Sequence, residues 1–293
     1  METIQAKTIV TKTKSQVWFG SDYNMNIYRG CCHGCIYCDS RSECYQVSDF
    51  ERVKAKENAL EIINSELKRK KKKGVIATGS MSDPYNPFEK RNELTRNSLK
   101  IVNENRFGIA IATKSSLVTR DTDILSSIKE HSPVIVKITI TTADNDLCKK
   151  IEPHAADSKE RFAAIKSLSD TGIYCGILLM PILPFINDNR SNILDIVHRA
   201  YDNGAKFIYA LFGVTLRDIQ RKYFYERLDN LFPNLKQKYM SCYGNSYNCI
   251  SPNAKDLWDT FKSECINFGI SYKMDDIIKS YKSDYQNRQL SLF

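Results

Sequence analysis

Short runs of β-branched and aliphatic residues recur along the chain, each followed by a longer stretch with apolar residues at helical spacing. The short runs predict strands over Asn24–Tyr28, Val75–Thr78, Ile109–Thr113, Val134–Ile140, Ile173–Met180 and Phe207–Phe212. Between them, helices are predicted over Glu51–Lys73, Glu93–Asn105, Thr122–His131, Ser158–Thr171 and Asn189–Asn203. Asp157 and Ser158, followed by Glu160, mark a helix start, while Gly172 and Gly204 close two helices. Strands alternating with helices predict an α/β fold, a parallel sheet with crossover helices. Six such units fall short of the eight that close a full barrel. No Gly/Ser-rich or Pro-rich linker interrupts the pattern, and no internal repeat is present. Beyond about Asp218 the pattern turns helical and aromatic. The expected organisation is therefore a core over 1–217 and a C-terminal helical extension over 218–293 that caps it.

Composition narrows the class of protein. Of 293 residues, 42% are hydrophobic and 26% charged, as in ordinary globular proteins. The longest apolar stretch, Ile173–Ile186, is broken by Pro181 and Pro184 and is too short to span a bilayer. The polar opening Met1–Lys7 is unlike a secretory leader, so the expected location is cytoplasmic, with no membrane partner. The net charge is +9, but Lys68–Lys73 supplies six of those charges and leaves +3 for everything else. That run closes the first long predicted helix, where cations offset the negative end of the dipole before Gly74 stops it. A solvated helix end is the plain reading; contact with a phosphate backbone is the other. Ten cysteines in a chain of this kind read as reduced thiols rather than disulfides. Six of them, Cys44, Cys148, Cys175, Cys242, Cys249 and Cys265, are scattered and read as buried or incidental thiols.

The informative cysteines lie together in Tyr28-Arg29-Gly30-Cys31-Cys32-His33-Gly34-Cys35-Ile36-Tyr37-Cys38. Cys31, Cys35 and Cys38 form a C-x3-C-x2-C loop with an aromatic residue before the last cysteine. Three thiolates on so short a loop can hold three irons of a four-iron cluster and leave the fourth open. Electron-transfer clusters usually take four cysteines, so a set of three points to chemistry at the cluster. A zinc site is the rival reading. Zinc favours two C-x2-C pairs or Cys/His pairs, and no second pair is present, although Cys32 and His33 complete four ligands on paper.

This loop resembles that of the radical S-adenosylmethionine (SAM) enzymes, and its wording resembles the subgroup of spore photoproduct lyase and the DNA repair photolyases. The resemblance covers roughly Tyr28 to Phe212. It implies an open partial (β/α)6 barrel with the cluster loop after the first strand. It also implies a 4Fe-4S cluster on the catalytic residues Cys31, Cys35 and Cys38, whose open iron chelates SAM. Tyr37 is then expected near the adenine. A flavodoxin- or ferredoxin-like one-electron reductant is an implied partner, and the implied reaction is reductive cleavage of SAM to start radical chemistry. Thr78-Gly79-Ser80-Met81-Ser82-Asp83-Pro84-Tyr85 resembles the family's Thr-Asp-Pro-Tyr segment, where the SAM amino group is held. Gly79 permits close approach of the chain, while Ser80, Ser82 and Asp83 offer acceptors; a Pro-rich turn is the bland alternative. Pro181–Asp188 resembles the family's Pro-x-x-Pro-Gly-x-Asn-Asp, with Phe185 in place of the glycine.

In β/α barrels, functional residues gather at the C-terminal strand ends. Lys114 stands there after the third strand, suited to the SAM carboxylate. Thr139 and Thr141 share a face of the fourth strand; their hydroxyls suit ribose or carboxylate, and threonine is equally ordinary in strands. Arg161 is placed either to reach SAM or to pair with Glu152. Two departures from spore photoproduct lyase matter. Ser80 stands where that enzyme has a hydrogen-donating cysteine, and Asp39 where it has a tyrosine. An O–H bond is far harder to break homolytically than S–H, so the same lesion repaired by the same route is not expected.

The chain ends Gln289-Leu290-Ser291-Leu292-Phe293, which resembles the pentapeptide by which bacterial polymerases and repair proteins hook onto the sliding clamp. A terminus that orders on binding suits such a partner; folding back onto the barrel is the alternative. The leading expectation is a radical SAM enzyme, a photolyase-like lyase repairing DNA. The alternatives are a radical SAM enzyme acting on a small molecule, protein or RNA, and a non-catalytic metal-containing DNA-binding module.

Overall fold

In the computed structural model, which describes residues 1–290 and side chains through Tyr285, six parallel strands form one sheet. They are β1 (Tyr23–Met25), β2 (Val75–Thr78), β3 (Gly108–Thr113), β4 (Val134–Thr139), β5 (Cys175–Leu179) and β6 (Phe207–Ala210). They pair in chain order, and Val10–Lys12 adds an antiparallel edge beside β1. Helices α1 (Ala59–Arg69), α2 (Leu94–Glu104), α3 (Thr122–Lys129), α4 (Ser158–Asp170) and α5 (Arg190–Asp202) make the crossovers. This is the open six-unit α/β arrangement that the pattern predicts.

Two expected elements differ. The run Asn24–Tyr28 splits, because Tyr28–Arg29 leaves the main sheet and pairs with Lys54–Lys56 in a separate three-stranded sheet. The helix expected over Glu51–Lys73 therefore begins only at Ala59, and it stops at Arg69. Consecutive lysines repel in a helical turn, and the last ones leave it for aromatic faces. Lys70 Nζ lies 4.7 Å from the centroid of Tyr23 and Lys73 Nζ 4.5 Å from that of Phe107.

The two faces of the sheet carry different residues, as the period of two requires. Ile76, Ile109, Ile111, Val134, Val136 and Ile138 face the helices and are fully or nearly fully buried in the main core. The inward positions are mostly smaller or polar: Ala77, Ala112, Lys137 and Thr139 line a cavity of about 400 Å³. Branched residues outside and short ones inside leave that space open. At the N-terminal ends of the strands it is closed by Phe19, Phe207, Ile277 and Tyr281.

The C-terminal helices do not gather into one lid. Helices α6 (Asp218–Leu231) and α7 (Leu235–Tyr243) bury Phe224, Leu228 and Tyr239 against Ile36, Tyr37 and Leu183. Helix α8 (Ala254–Asn267) packs on α5, and α9 (Met274–Leu290) brings Ile277 and Tyr281 to the opposite end of the barrel. Gly213–Thr215 also pairs with Asn248–Ile250, so hydrogen bonds and apolar contacts both run across position 217. Among the described residues, no helix is long and apolar enough to cross a membrane.

Candidate active site

The loop from Gly30 to Cys38 is stapled to two other segments by its backbone. Cys31 N–H donates to the Phe50 carbonyl (2.8 Å) and Ile36 N–H to that of Ile151 (3.0 Å), while His154 N–H donates to the His33 carbonyl (3.1 Å). Gly34 has φ +71°, and a Cβ there would lie 3.0 Å from Pro153 Cγ, so the loop presses closely on this neighbour. The result turns Cys31, Cys35 and Cys38 together into the cavity. Cys32 faces away, packed on the main core, and His33 turns its Nδ1 to Asp83 Oδ2 at 3.4 Å. The four-ligand zinc arrangement possible on paper is therefore not assembled. Burial pushes the Cys31 thiol up to about 12, with Asp83 and Cys38 adding to it, and burial moves Cys35 the same way. Such thiols keep their protons until a metal takes them.

The facing wall comes from the strand ends. Gly79 follows β2 with φ +96°, and a Cβ there would stand 1.9 Å from the Ala112 carbonyl oxygen. Only glycine lets the loop lie so close to the end of β3. Asp83 clasps the same two elements. Its Oδ1 accepts from Thr113 Oγ1 (2.7 Å) and Tyr85 N–H (2.9 Å), and its Oδ2 accepts from Lys114 N–H (2.7 Å). Ser82 Oγ donates to the Gly30 carbonyl (2.5 Å), tying this loop to the cysteine loop, whereas Ser80 is exposed on the cavity rim. Lys114 lines the cavity with its Nζ 5.7 Å from the Tyr37 ring centroid. Burial opposes its charge, but Cys35 and Glu152 outweigh that and hold its pKa above the usual lysine value. Among the described residues, its ammonium has no hydrogen-bond partner.

Behind the wall lies a buried polar chain. Tyr37 O–H donates to Glu152 Oε1, and Glu152 Oε2 lies 2.5 Å from Arg161 Nη2, with both ionic side chains fully buried. Arg161 also donates to the carbonyls of Thr139 (2.9 Å) and Ala156 (2.8 Å). Tyr37 and Thr139 line the cavity; Arg161 and Thr141 do not. The Thr141 carbonyl accepts from Asn187 (2.8 Å) and Asn192 (3.0 Å), and its buried hydroxyl has no partner among the described residues. Phe185 has φ +63°, so the loop after β5 keeps the backbone a glycine would take, and the ring packs edge-on to Tyr239 at 5.7 Å.

Three soft donors on one short loop, open to a cavity and opposite an unpartnered ammonium, fit a cubane cluster with one iron left for a ligand. Among the described residues, no set of His, Cys, Asp and Glu side chains forms a ready mononuclear metal site. The family model for the radical SAM superfamily matches residues 25–197. The chain belongs to the radical SAM superfamily. Members of this superfamily use a 4Fe-4S cluster and S-adenosylmethionine.

Relatives of this radical SAM protein include an uncharacterized protein of Methanocaldococcus jannaschii, 37% identical over 188 residues, 63% of this chain and 68% of the other. An uncharacterized Mycobacterium bovis protein is 25% identical over 248 residues, 82% and 72% of the two chains. Among solved structures, spore photoproduct lyase complexed with dinucleoside spore photoproduct shares the fold, with TM-score 0.66 and 13% identity over 89% of this chain and 77% of that one. A radical S-adenosylmethionine methyltransferase from Kitasatospora setae aligns with TM-score 0.54 and 10% identity over 84% and 51%.

Trp18, Asn24, Lys137, Met180 and Leu211 also line the cavity, outside the site that the sequence predicts. One of them left a signal. Lys137 is the single charge in the otherwise apolar run Val134-Ile135-Val136-Lys137-Ile138. Among the described residues, no cysteine other than Cys31, Cys35 and Cys38 lines the cavity.

Proposed function

We propose that this radical SAM enzyme holds its cluster on Cys31, Cys35 and Cys38 and acts on a damaged or modified nucleic-acid base, as a photolyase-like lyase. The observation that carries the reading is the convergence of those three thiols with Gly79, Lys114 and Thr139 on one cavity at the C-terminal strand ends. A 4Fe-4S cluster held by these three thiolates would, when reduced by a flavodoxin- or ferredoxin-like donor, supply the one electron for reductive cleavage of SAM. Lys114 holds the SAM carboxylate, and the Gly79–Asp83 loop receives its amino group through backbone and serine oxygens. The Asp83 carboxylate acts mainly by positioning, because its oxygens already serve Thr113, Tyr85 and Lys114. Thr139 presents its hydroxyl to the ribose, and Tyr37 flanks the adenine. Arg161 supports both from behind through Glu152 and the Thr139 carbonyl, and Thr141 holds the neighbouring loop through its carbonyl.

The nucleic-acid substrate is supported by the fold shared with spore photoproduct lyase over 89% of this chain. A route through a cysteine hydrogen donor in the loop after β2 is not part of the proposal, since Ser80 stands there. The tail Gln289–Phe293, proposed to engage a sliding clamp, lies outside the described residues. Clamp pull-down with and without these five residues tests that partner.

Anaerobic reconstitution with iron and sulfide, followed by dithionite and SAM, tests the chemistry. Brown colour and 5′-deoxyadenosine are expected from the native chain and neither from Cys35→Ala. Full SAM cleavage by that variant overturns the assignment. DNA oligonucleotides carrying defined base lesions, compared with undamaged ones, then test the substrate class.

A further inference from the structure

Lys137 sits in the middle of β4, two residues before Thr139 and on the same inward face. At about 3.3 Å per residue it lies roughly 7 Å deeper in the barrel than the Thr139 hydroxyl. It is 1% exposed, yet it lines the same cavity. Its neighbours in register are Ala112 on β3 and Gly176 on β5, neither of which offers a polar side chain. Among the described residues, no carboxylate, carbonyl or hydroxyl accepts a hydrogen bond from its Nζ. Its Nζ lies instead over the face of Phe19, whose ring centroid is 4.6 Å away.

An aromatic face replaces only part of the hydration an ammonium loses. Buried cations are normally paired with an anion, and here burial alone pushes the Lys137 ammonium down to about 7. A methionine would fill the same volume against Phe19 and Leu178 without the cost of desolvating a charge. An ammonium on the cavity lining that has no anionic partner among the described residues is suited to a ligand that brings its own negative oxygen.

We infer that Lys137 is the anchor of a second ligand subsite, below SAM, that binds the oxyanion, carboxylate or phosphate, of the molecule occupying the barrel. Trp18 walls this subsite beside Phe19, their ring centroids 5.0 Å apart, and Asn24 lines the same cavity from β1. Apolar walls and one deep cation suit a compact, partly aromatic or apolar moiety with one anionic group, as a single nucleotide unit presents. The subsite deepens the radical SAM reading, on which its position relative to SAM rests.

The test is anaerobic titration calorimetry on the cluster-loaded, SAM-saturated full chain with acetate, inorganic phosphate, thymidine and thymidine 5′-monophosphate. At least one oxyanion should bind saturably, and acetate against phosphate distinguishes a carboxylate source from a phosphate source. Losing one charge-assisted bond should weaken that binding about tenfold or more in Lys137→Met, with Lys137→Arg retaining part of it. Thermal unfolding of the unliganded protein supplies the second readout. Lys137→Met should unfold at a higher temperature than the native chain, because a buried unpaired charge has been removed. A lower temperature means that the lysine serves the fold, and it overturns the proposal. So does oxyanion binding unchanged by Lys137→Met, the absence of oxyanion binding, or loss of SAM affinity alone in that variant. The same titration on the chain without cluster still reads the subsite if the cluster assignment fails, which separates the two.

Discussion

Glu152 shows how one buried side chain can organise a cavity wall from behind, through the hydroxyl of Tyr37. Burial by itself raises its pKa, but Arg161 first, and then Lys114 and Tyr37, outweigh that and hold it below its ordinary 4.5. A depressed folded-state pKa contributes stability that is fully present above the unfolded value and lost as pH falls through the folded one. The native chain should therefore lose stability on acidification below about pH 4.5, and Glu152→Gln should lack that part of the profile. At neutral pH, Glu152→Gln leaves the fully buried Arg161 without its countercharge, an error that costs about 3–5 kcal/mol in buried pairs. Denaturant unfolding of both chains between about pH 3 and pH 7 checks both statements; equal stability at pH 7 would sink the account. Phe185 shows another kind of residue-scale trade. Its left-handed backbone costs about 1–2 kcal/mol in a non-glycine residue, and its ring is held in return between Tyr239 and Tyr243, with centroids at 5.7 and 6.3 Å.

At the scale of elements, the strands were legible because each buried run is short, β-branched and bounded by turn residues. Val75–Thr78 coincides with its predicted limits, and Val134–Ile140 differs by one residue. The region before Ala59 was not legible. Nothing local tells that Lys54–Lys56 pairs with Glu2–Ile4 and Tyr28–Arg29, since these contacts join segments far apart in the chain. The placement of α9 is likewise a long-range fact. Its Tyr281 donates to the Phe19 carbonyl at 2.6 Å, and Ile277 is fully buried beneath the sheet. Removing that hydroxyl in Tyr281→Phe should cost about 1 kcal/mol, and Ile277→Ala about 2–5 kcal/mol through the cavity it leaves. Thermal denaturation measures both. An unchanged Tm in Ile277→Ala would mean that α9 does not close the barrel.

The whole molecule separates the support of the cysteine loop from the cluster it is proposed to hold. The main core of strands and crossover helices contains none of Cys31, Cys35 and Cys38, and the loop is fixed by backbone bonds to Phe50, Ile151 and His154. The chain without iron should therefore keep its far-ultraviolet circular dichroism, and cluster loading should raise Tm, because a group that binds only the folded state stabilises it. Chelation of the iron should reverse that shift. Global unfolding on chelation would show that the cluster holds the fold together, as zinc does in small metal domains. Charge acts at this scale as well: the lysine run, which suggested a solvated helix end, spends Lys70 and Lys73 on aromatic faces.

The sequence by itself determined the alternation of strands and helices and the three-cysteine loop. Both are local: hydrophobic period and ligand spacing are written in consecutive residues. It also marked Gly79, Lys114 and Thr139 as strand-end positions, and the structure puts all three on the lining of one cavity. Tertiary structure alone decided which of these side chains share one cavity, and it set Arg161 and Thr141 behind the wall instead of on it. It also turned Lys137 inward, with no anionic partner among the described residues, a position set by the register of β4 between Ala112 and Gly176. No spacing along the chain encodes that, since the emptiness around a side chain belongs to its neighbours in space.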